Sequence, residues 1–227
     1  MKPLTKKIAL VAGATRGAGR GIAIELGAAG ATVICTGRST RAQASDLNRP
    51  ETIEETAEMV SSAGGIGIAI RCDHTQESEV QALFERVKLE HGRLDILVND
   101  IWGGEKLIEW GKKFWELDLE KALKLIERSV FSHLITSRHA VPLMLETGNG
   151  LLLEITDGEH RFYRGNMIYD FIKNALMRGA KCRKSAANAA LSWASRTAIS
   201  RADQSTSSCT FTRNLPLACR ASMFGPA

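Results

Sequence analysis

The stretch Ile8-Ala9-Leu10-Val11-Ala12-Gly13-Ala14-Thr15-Arg16-Gly17-Ala18-Gly19 decides the fold. Its first half is a short unbroken apolar run, the pattern of a strand buried on both faces of a parallel sheet. Its second half is a glycine-rich turn. Beyond it, Ile22, Ala23 and Leu26 recur at helical spacing, which predicts a helix over Arg20–Ala29 stopped by Gly30. A turn of this kind suits a phosphate. Gly13 allows a tight exit from the strand, while Gly17 and Gly19 let backbone approach a pyrophosphate. The helix start adds free N–H groups and a partial positive charge.

Outward from this unit the same alternation repeats. Apolar runs predict strands at Thr32–Thr36, Ile66–Arg71, Leu94–Val98 and Leu151–Ile155. Helical patterns fill the gaps at Ile53–Ser62 and Glu77–His91, and over Leu119–Leu145 as one helix or two, with Pro142 expected to bend it. Arg38–Pro50 is polar and irregular. Strands alternating with helices predict a doubly wound α/β fold, Rossmann-like, with one parallel sheet covered on both faces.

The chain has 227 residues, 44% of them apolar, enough for one α/β domain with a real core. No apolar run is long enough for a membrane span. The N-terminus lacks the apolar core of a signal peptide. Five cysteines (Cys35, Cys72, Cys182, Cys209, Cys219) are odd in number and show no CxxC pairing. They fit reduced thiols and a cytoplasmic location. The net charge of +5 is uneven: residues 178–227 hold eight bases and one acid, leaving 22 bases against 24 acids in residues 1–177. A solvated basic segment accounts for this better than specific nucleic-acid binding. None of the five histidines has metal-ligand spacing, so no metal is expected.

A second motif lies far downstream. Tyr169-Asp170-Phe171-Ile172-Lys173 puts a phenol and an amine on one helix face. A phenol of ordinary pKa about 10 becomes a usable acid/base when a nearby ammonium lowers that value. Arg16 in the turn, and Arg38 with Ser39 after the second strand, stand where an acid would otherwise accept from a ribose hydroxyl. They suit a 2′-phosphate, hence NADP(H) over NAD(H).

Taken together, Gly-x-x-x-Gly-x-Gly and Tyr-x-x-x-Lys resemble the short-chain dehydrogenase/reductase family, over about Lys6–Met177. A branch carrying Ile-Thr-Asp-Gly and Tyr-Asp-x-x-Lys is the nearest likeness. The resemblance implies reversible hydride transfer between a dinucleotide and a small-molecule carbonyl or alcohol. It implies Tyr169 as acid/base and Lys173 as the group that lowers its pKa and holds ribose. Cofactor contacts then fall on Gly13, Thr15, Arg16, Gly17, Gly19, Arg38, Ser39, Asp73, Asn99, Tyr169 and Lys173. The family's serine that polarises the substrate oxygen is absent here; Thr156, which keeps a hydroxyl donor, is the favoured stand-in, and Asp157 is the alternative as a substrate-contacting residue. Ser129 falls where the family has an asparagine in a proton relay, and Asp100 replaces the second asparagine of an Asn-Asn-Ala-Gly motif. Many relatives form homodimers or homotetramers through the helices flanking the fifth strand.

These departures keep a second function in view, a dinucleotide-binding protein without turnover. Trp102, Trp110, Phe114 and Trp115 either wall a substrate pocket or cover core. Residues 1–177 form the expected domain. Residues 178–227, rich in Ala, Ser, Thr and Arg, show none of the family's last two strands and read as an atypical basic tail, frameshifted or partly disordered.

Overall fold

In this computed structural model, residues 1–44, 47–148, 150–157, 163–187, 196–203 and 206–210 are described. β1 (Ile8–Ala12) is the central strand, and all five of its residues are buried. It pairs in parallel with β2 (Thr32–Gly37) on one side and β4 (Ile96–Asn99) on the other. β3 (Ile66–Arg71) lies outside β2, and β5 (Leu151–Thr156) outside β4, both parallel to their neighbours. The order β3-β2-β1-β4-β5 reverses direction between β1 and β4, which opens a crevice at the carboxyl ends of those strands.

Alternate strand residues feed two cores. Leu10, Ile34, Leu97 and Leu152 face one way, onto α3 (Glu77–His91) and its Phe84 and Val87. Val11, Val33, Val98 and Leu153 face the other way, onto Ile22 and Leu26 of α1 (Gly17–Ala28) and Val60 of α2 (Ile53–Ser62). Helix ends follow local chemistry. The Thr52 hydroxyl accepts from Glu55 N–H at the start of α2, and Gly92 takes φ +66° to end α3.

The long pattern predicted over Leu119–Leu145 is broken, though not at Pro142. α4 (Leu119–Ile126) runs into a π-helical turn, Glu127–Phe131, and then into α5 (Ser132–Glu146), which carries Pro142 within it. One extra residue in the turn, rather than the proline, interrupts the regular spacing. The last described helix is α6 (Met167–Ala187).

The C-terminal segment differs from expectation. After residue 177 the sequence offers only a helix extension over Ala186–Ala198 and a weak strand over Thr206–Phe211. The backbone instead places β6 (Arg196–Asp203) parallel to β5 and β7 (Thr206–Thr210) antiparallel to β6. These strands mix Arg, Ser, Thr and Ala and have no apolar run, so neither period announces them. Among the described residues no helix is long and apolar enough to cross a membrane. No cluster of metal-ligating side chains occurs among them either.

Candidate active site

A cleft of about 500 Å³ opens at the crevice between β1 and β4 and runs from the Gly13–Gly17 turn to Tyr169 and Lys173. At one end the turn is held by Gly13 and Ala14 N–H groups donating to the Thr36 carbonyl. Two glycines leave no room for anything larger. A Cβ on Gly13 would lie 2.3 Å from the Asp100 carbonyl oxygen, and one on Gly19 would lie 2.3 Å from the Gly13 carbonyl oxygen. Arg20 braces the turn by donating from Nε to Thr15 O at 3.0 Å while pairing with Glu55.

This end fits the phosphates of a dinucleotide. α1 starts without a side-chain cap from its N-cap residue and without an acidic residue in its first turn; of its first N–H groups Gly19 meets the Asp100 carboxylate, and the helix start offers its partial positive charge to a phosphate. Arg16 Nη1 is buried beside the turn with no hydrogen-bond partner, its guanidinium paired at 4.0 Å with Glu51. Arg38 and the buried Ser39 line the same end, as does Thr15. Asp73 lines the next stretch of the cleft. Burial pushes its carboxyl up, yet the Thr75 N–H and hydroxyl and the Arg38 charge outweigh this and leave it below its ordinary value.

The middle of the cleft holds Asp100, whose carboxylate meets the Gly19 N–H. Burial raises its pKa to about 7 against the pull of that N–H, His133 and Lys173. Asn99 does not line the cleft. It is fully buried and donates from Nδ2 to Glu154 Oε1 at 3.0 Å and Ser137 Oγ at 3.1 Å, bracing β4 to β5 and α5.

At the far end, α6 delivers Tyr169 and Lys173 to the cleft. Asn166 fixes its start, with Oδ1 accepting from Tyr169 N–H at 3.0 Å and Nδ2 donating to Glu109 O at 3.0 Å. Trp102 and Trp110 pack on the Tyr169 ring at centroid distances of 5.8 and 5.2 Å. They line the pocket, Trp110 while itself exposed, whereas Phe114 and Trp115 pack on each other outside its lining. Of the two candidates for the serine position, Asp157 meets the phenol: Tyr169 Oη donates to Asp157 Oδ2 at 2.5 Å. Thr156 lies buried at the end of β5. Ser129 is buried in the π-helical turn with its hydroxyl unpartnered, while its neighbour Arg128 reaches the cleft and donates to Gly103 O at 3.1 Å.

One expectation is reversed. Lys173 Nζ pairs with Asp157 Oδ1 at 3.3 Å and sits 4.3 Å from the Trp102 ring centroid. Burial, followed by the hydrogen bond to and the charge of Asp157, raises the Tyr169 pKa well above its ordinary value instead of lowering it. The Asp157 carboxyl, for its part, is pushed up by burial but pulled below its ordinary value by Lys173, Tyr169 and Arg164. Sequence reasoning missed Arg164, whose Nη2 lies 3.1 Å from Asp157 Oδ2. It also missed the buried pair His133–Glu154, with Nδ1 2.5 Å from Oε2. Asn166, three residues before Tyr169, was findable as a helix cap.

A family model described as enoyl-(acyl carrier protein) reductase matches residues 13–191, which extends past residue 177. The chain belongs to the short-chain dehydrogenase/reductase family. Human dehydrogenase/reductase SDR family member 1 is 36% identical over 191 residues, covering 83% of this chain and 56% of the relative. The 7alpha-hydroxysteroid dehydrogenase of Escherichia coli K12 is 33% identical over 153 residues, 67% of this chain and 54% of the relative. This chain thus spans about half the length of these family members. A short-chain dehydrogenase from Mycobacterium thermoresistibile shares the fold with a TM-score of 0.74 at 24% identity, over 85% of this chain and 66% of that one. A metagenomic short-chain oxidoreductase solved in complex with NADP shares it with a TM-score of 0.72 at 22% identity, over 86% of this chain and 81% of that one.

Proposed function

We infer that this protein interconverts a small-molecule alcohol and its carbonyl, with NADP(H) as hydride partner. The observation that carries this reading is that one cleft joins a glycine-lined helix start beside Arg16 to an aromatic-walled phenol and amine. Arg16, Arg38 and Ser39 would hold the 2′-phosphate side, Arg38 and Ser39 standing directly after β2 where an acid would repel it. The turn backbone would hold the pyrophosphate, and Lys173 the nicotinamide ribose. When bound, the dinucleotide supplies or accepts the hydride. Tyr169 handles the proton of the substrate oxygen, and Trp102 and Trp110 exclude water around it. The relative named for steroid oxidation and the neighbour holding NADP support the same chemistry. Two buried free thiols, Cys35 and Cys72, each pushed up by burial to about 12, suit a reducing compartment such as the cytoplasm.

A second reading, binding without turnover, draws on the Tyr169 hydroxyl being engaged by Asp157. Fluorescence titration with NADPH and NADH, followed by turnover of an alcohol and ketone panel, separates the two. Binding with turnover supports the enzyme; binding with none supports the sensor. Turnover that survives Tyr169→Phe removes the proposed acid/base.

A further inference from the structure

We propose that Asp157 is the terminal proton acceptor of an alcohol oxidation, with Tyr169 passing the proton as a hydroxyl. This rests on the reading of the site as an alcohol–carbonyl oxidoreductase, and adds a proton route and a direction to it.

The geometry assigns the hydrogens. An ionised carboxylate only accepts, so at 2.5 Å the Tyr169 hydroxyl hydrogen points to Asp157 Oδ2. The lone pairs of the phenol oxygen are what remain for the cleft. They accept from an alcohol O–H; they do not donate to a carbonyl. Asp157 is held as a carboxylate by the groups that face it. Lys173 and Tyr169 come from α6, and Arg164 comes from the segment before it and also donates to the Asp157 carbonyl at 2.5 Å. Across the cleft, Asp100 faces Lys173 and Gly19 rather than Asp157.

The step balances without a free phenolate. The substrate C–H bond breaks and its electron pair leaves as hydride to the oxidised dinucleotide. The substrate O–H bond breaks as its proton moves to Tyr169 Oη, and the C=O bond forms. In the same movement the Tyr169 O–H bond breaks and that proton joins Asp157 Oδ2. Asp157 has 19% side-chain exposure and releases the proton to water. The raised Tyr169 pKa agrees with a relay, because a phenolate is costly here.

The chain has two tyrosines, so a near-ultraviolet tyrosinate titration of the coenzyme-free protein reads Tyr169 directly. In a Tyr163→Phe background, which leaves Tyr169 as the single tyrosine, no tyrosinate should form near the ordinary value of about 10. Adding Asp157→Asn should bring the Tyr169 titration down toward that value, stopping above it because burial, the first cause of the rise, remains. The second measurement is the pH profile of kcat/KM for NADP⁺-dependent oxidation of a 7α-hydroxysteroid and of cyclohexanol. The wild type should hold a plateau down to the carboxylate range. Asp157→Asn should lose about 100-fold at pH 7 and recover about tenfold per pH unit toward alkaline pH, as the phenolate becomes the base. Asp157→Ser, checked for folding by circular dichroism, should repeat the alkaline shift. An ordinary Tyr169 titration in the Tyr163→Phe background, or an unchanged profile in both variants, overturns the proton route and leaves the oxidoreductase reading standing. Failure to bind either coenzyme overturns that reading instead.

Discussion

His133 Nδ1 lies 2.5 Å from Glu154 Oε2, and the two side chains are 1% and 0% exposed. The His133 Nε2 atom faces the Ile101 carbonyl at 2.9 Å, and a carbonyl only accepts, so Nε2 carries its hydrogen. The pair therefore ties α5 and β5 to the loop that carries Trp102. Glu154→Leu would strand the imidazole and the Asn99 amide in the core. A loss of about 3–5 kcal/mol in unfolding free energy is expected, read from urea denaturation. A loss under about 1 kcal/mol would mean that the pair is dispensable to the fold.

Gly19→Ala pushes a methyl toward the Gly13 carbonyl oxygen, 2.3 Å from the ideal Cβ position, so backbone must shift and stability should fall too. The turn must widen where the coenzyme phosphates are to sit. NADPH affinity should fall at least about tenfold by fluorescence titration. Gly21→Ala, whose Cβ meets nothing within 4 Å, is the matched control and should bind as the wild type does.

Arg38→Ala tests the coenzyme choice. A charge-assisted hydrogen bond to a phosphate contributes about 1.5–3 kcal/mol, so NADPH affinity should fall about 10- to 100-fold. NADH affinity should change less than threefold, on the order of the scatter expected for a surface cation. Equal losses for both coenzymes would sink the NADP(H) preference.

The pH dependence of stability should carry a His74 component. Its ring lies 2.8 Å from Thr36 Oγ1 and 2.9 Å from Thr136 Oγ1. Burial, followed by the charge of His133, holds its pKa down at about 3, against 6.5 in the unfolded chain. Between those values the unfolded chain binds a proton that the native one refuses. Stability from this residue is therefore complete above pH 6.5 and declines as pH falls, by up to about 1.4 kcal/mol per pH unit. His74→Gln should flatten this slope by one proton in denaturation curves taken between pH 4 and pH 7, on the order of that same limit.

The central fold was legible because its strands are unbroken apolar runs. The strands predicted at Thr32–Thr36 and Leu151–Ile155 each gained one residue, ending at Gly37 and Thr156. The turn was legible because only glycine fits between Gly13 and Asp100. Tyr169 and Lys173 both line the cleft, as their spacing on one helix face allows, but their electrostatics were not legible. Which cation an aspartate captures depends on Arg164 and on how α6 docks, neither of which spacing encodes. Glu154 lies within an apolar strand pattern, and only the fold reveals that His133 and Asn99 neutralise its burial. Of the two late strands, Arg196–Asp203 escaped and Thr206–Thr210 was legible only as a weak strand, because both lack apolar alternation.

The wide turn at Glu127–Phe131 makes α4 and α5 answer to different neighbours. Each residue of a helix advances the face by about 100°. Removing the extra residue would let the turn close to regular helical spacing with His133, Thr136 and Ser137 still on the sheet, whereas removing one residue between the turn and His133 would swing all three away from it. Ungapped comparison of this helix with a relative lacking the extra residue would mispair every position on one side of it. The turn is consequently the one place in this long helical segment where the molecule can lose a residue and keep its polar brace.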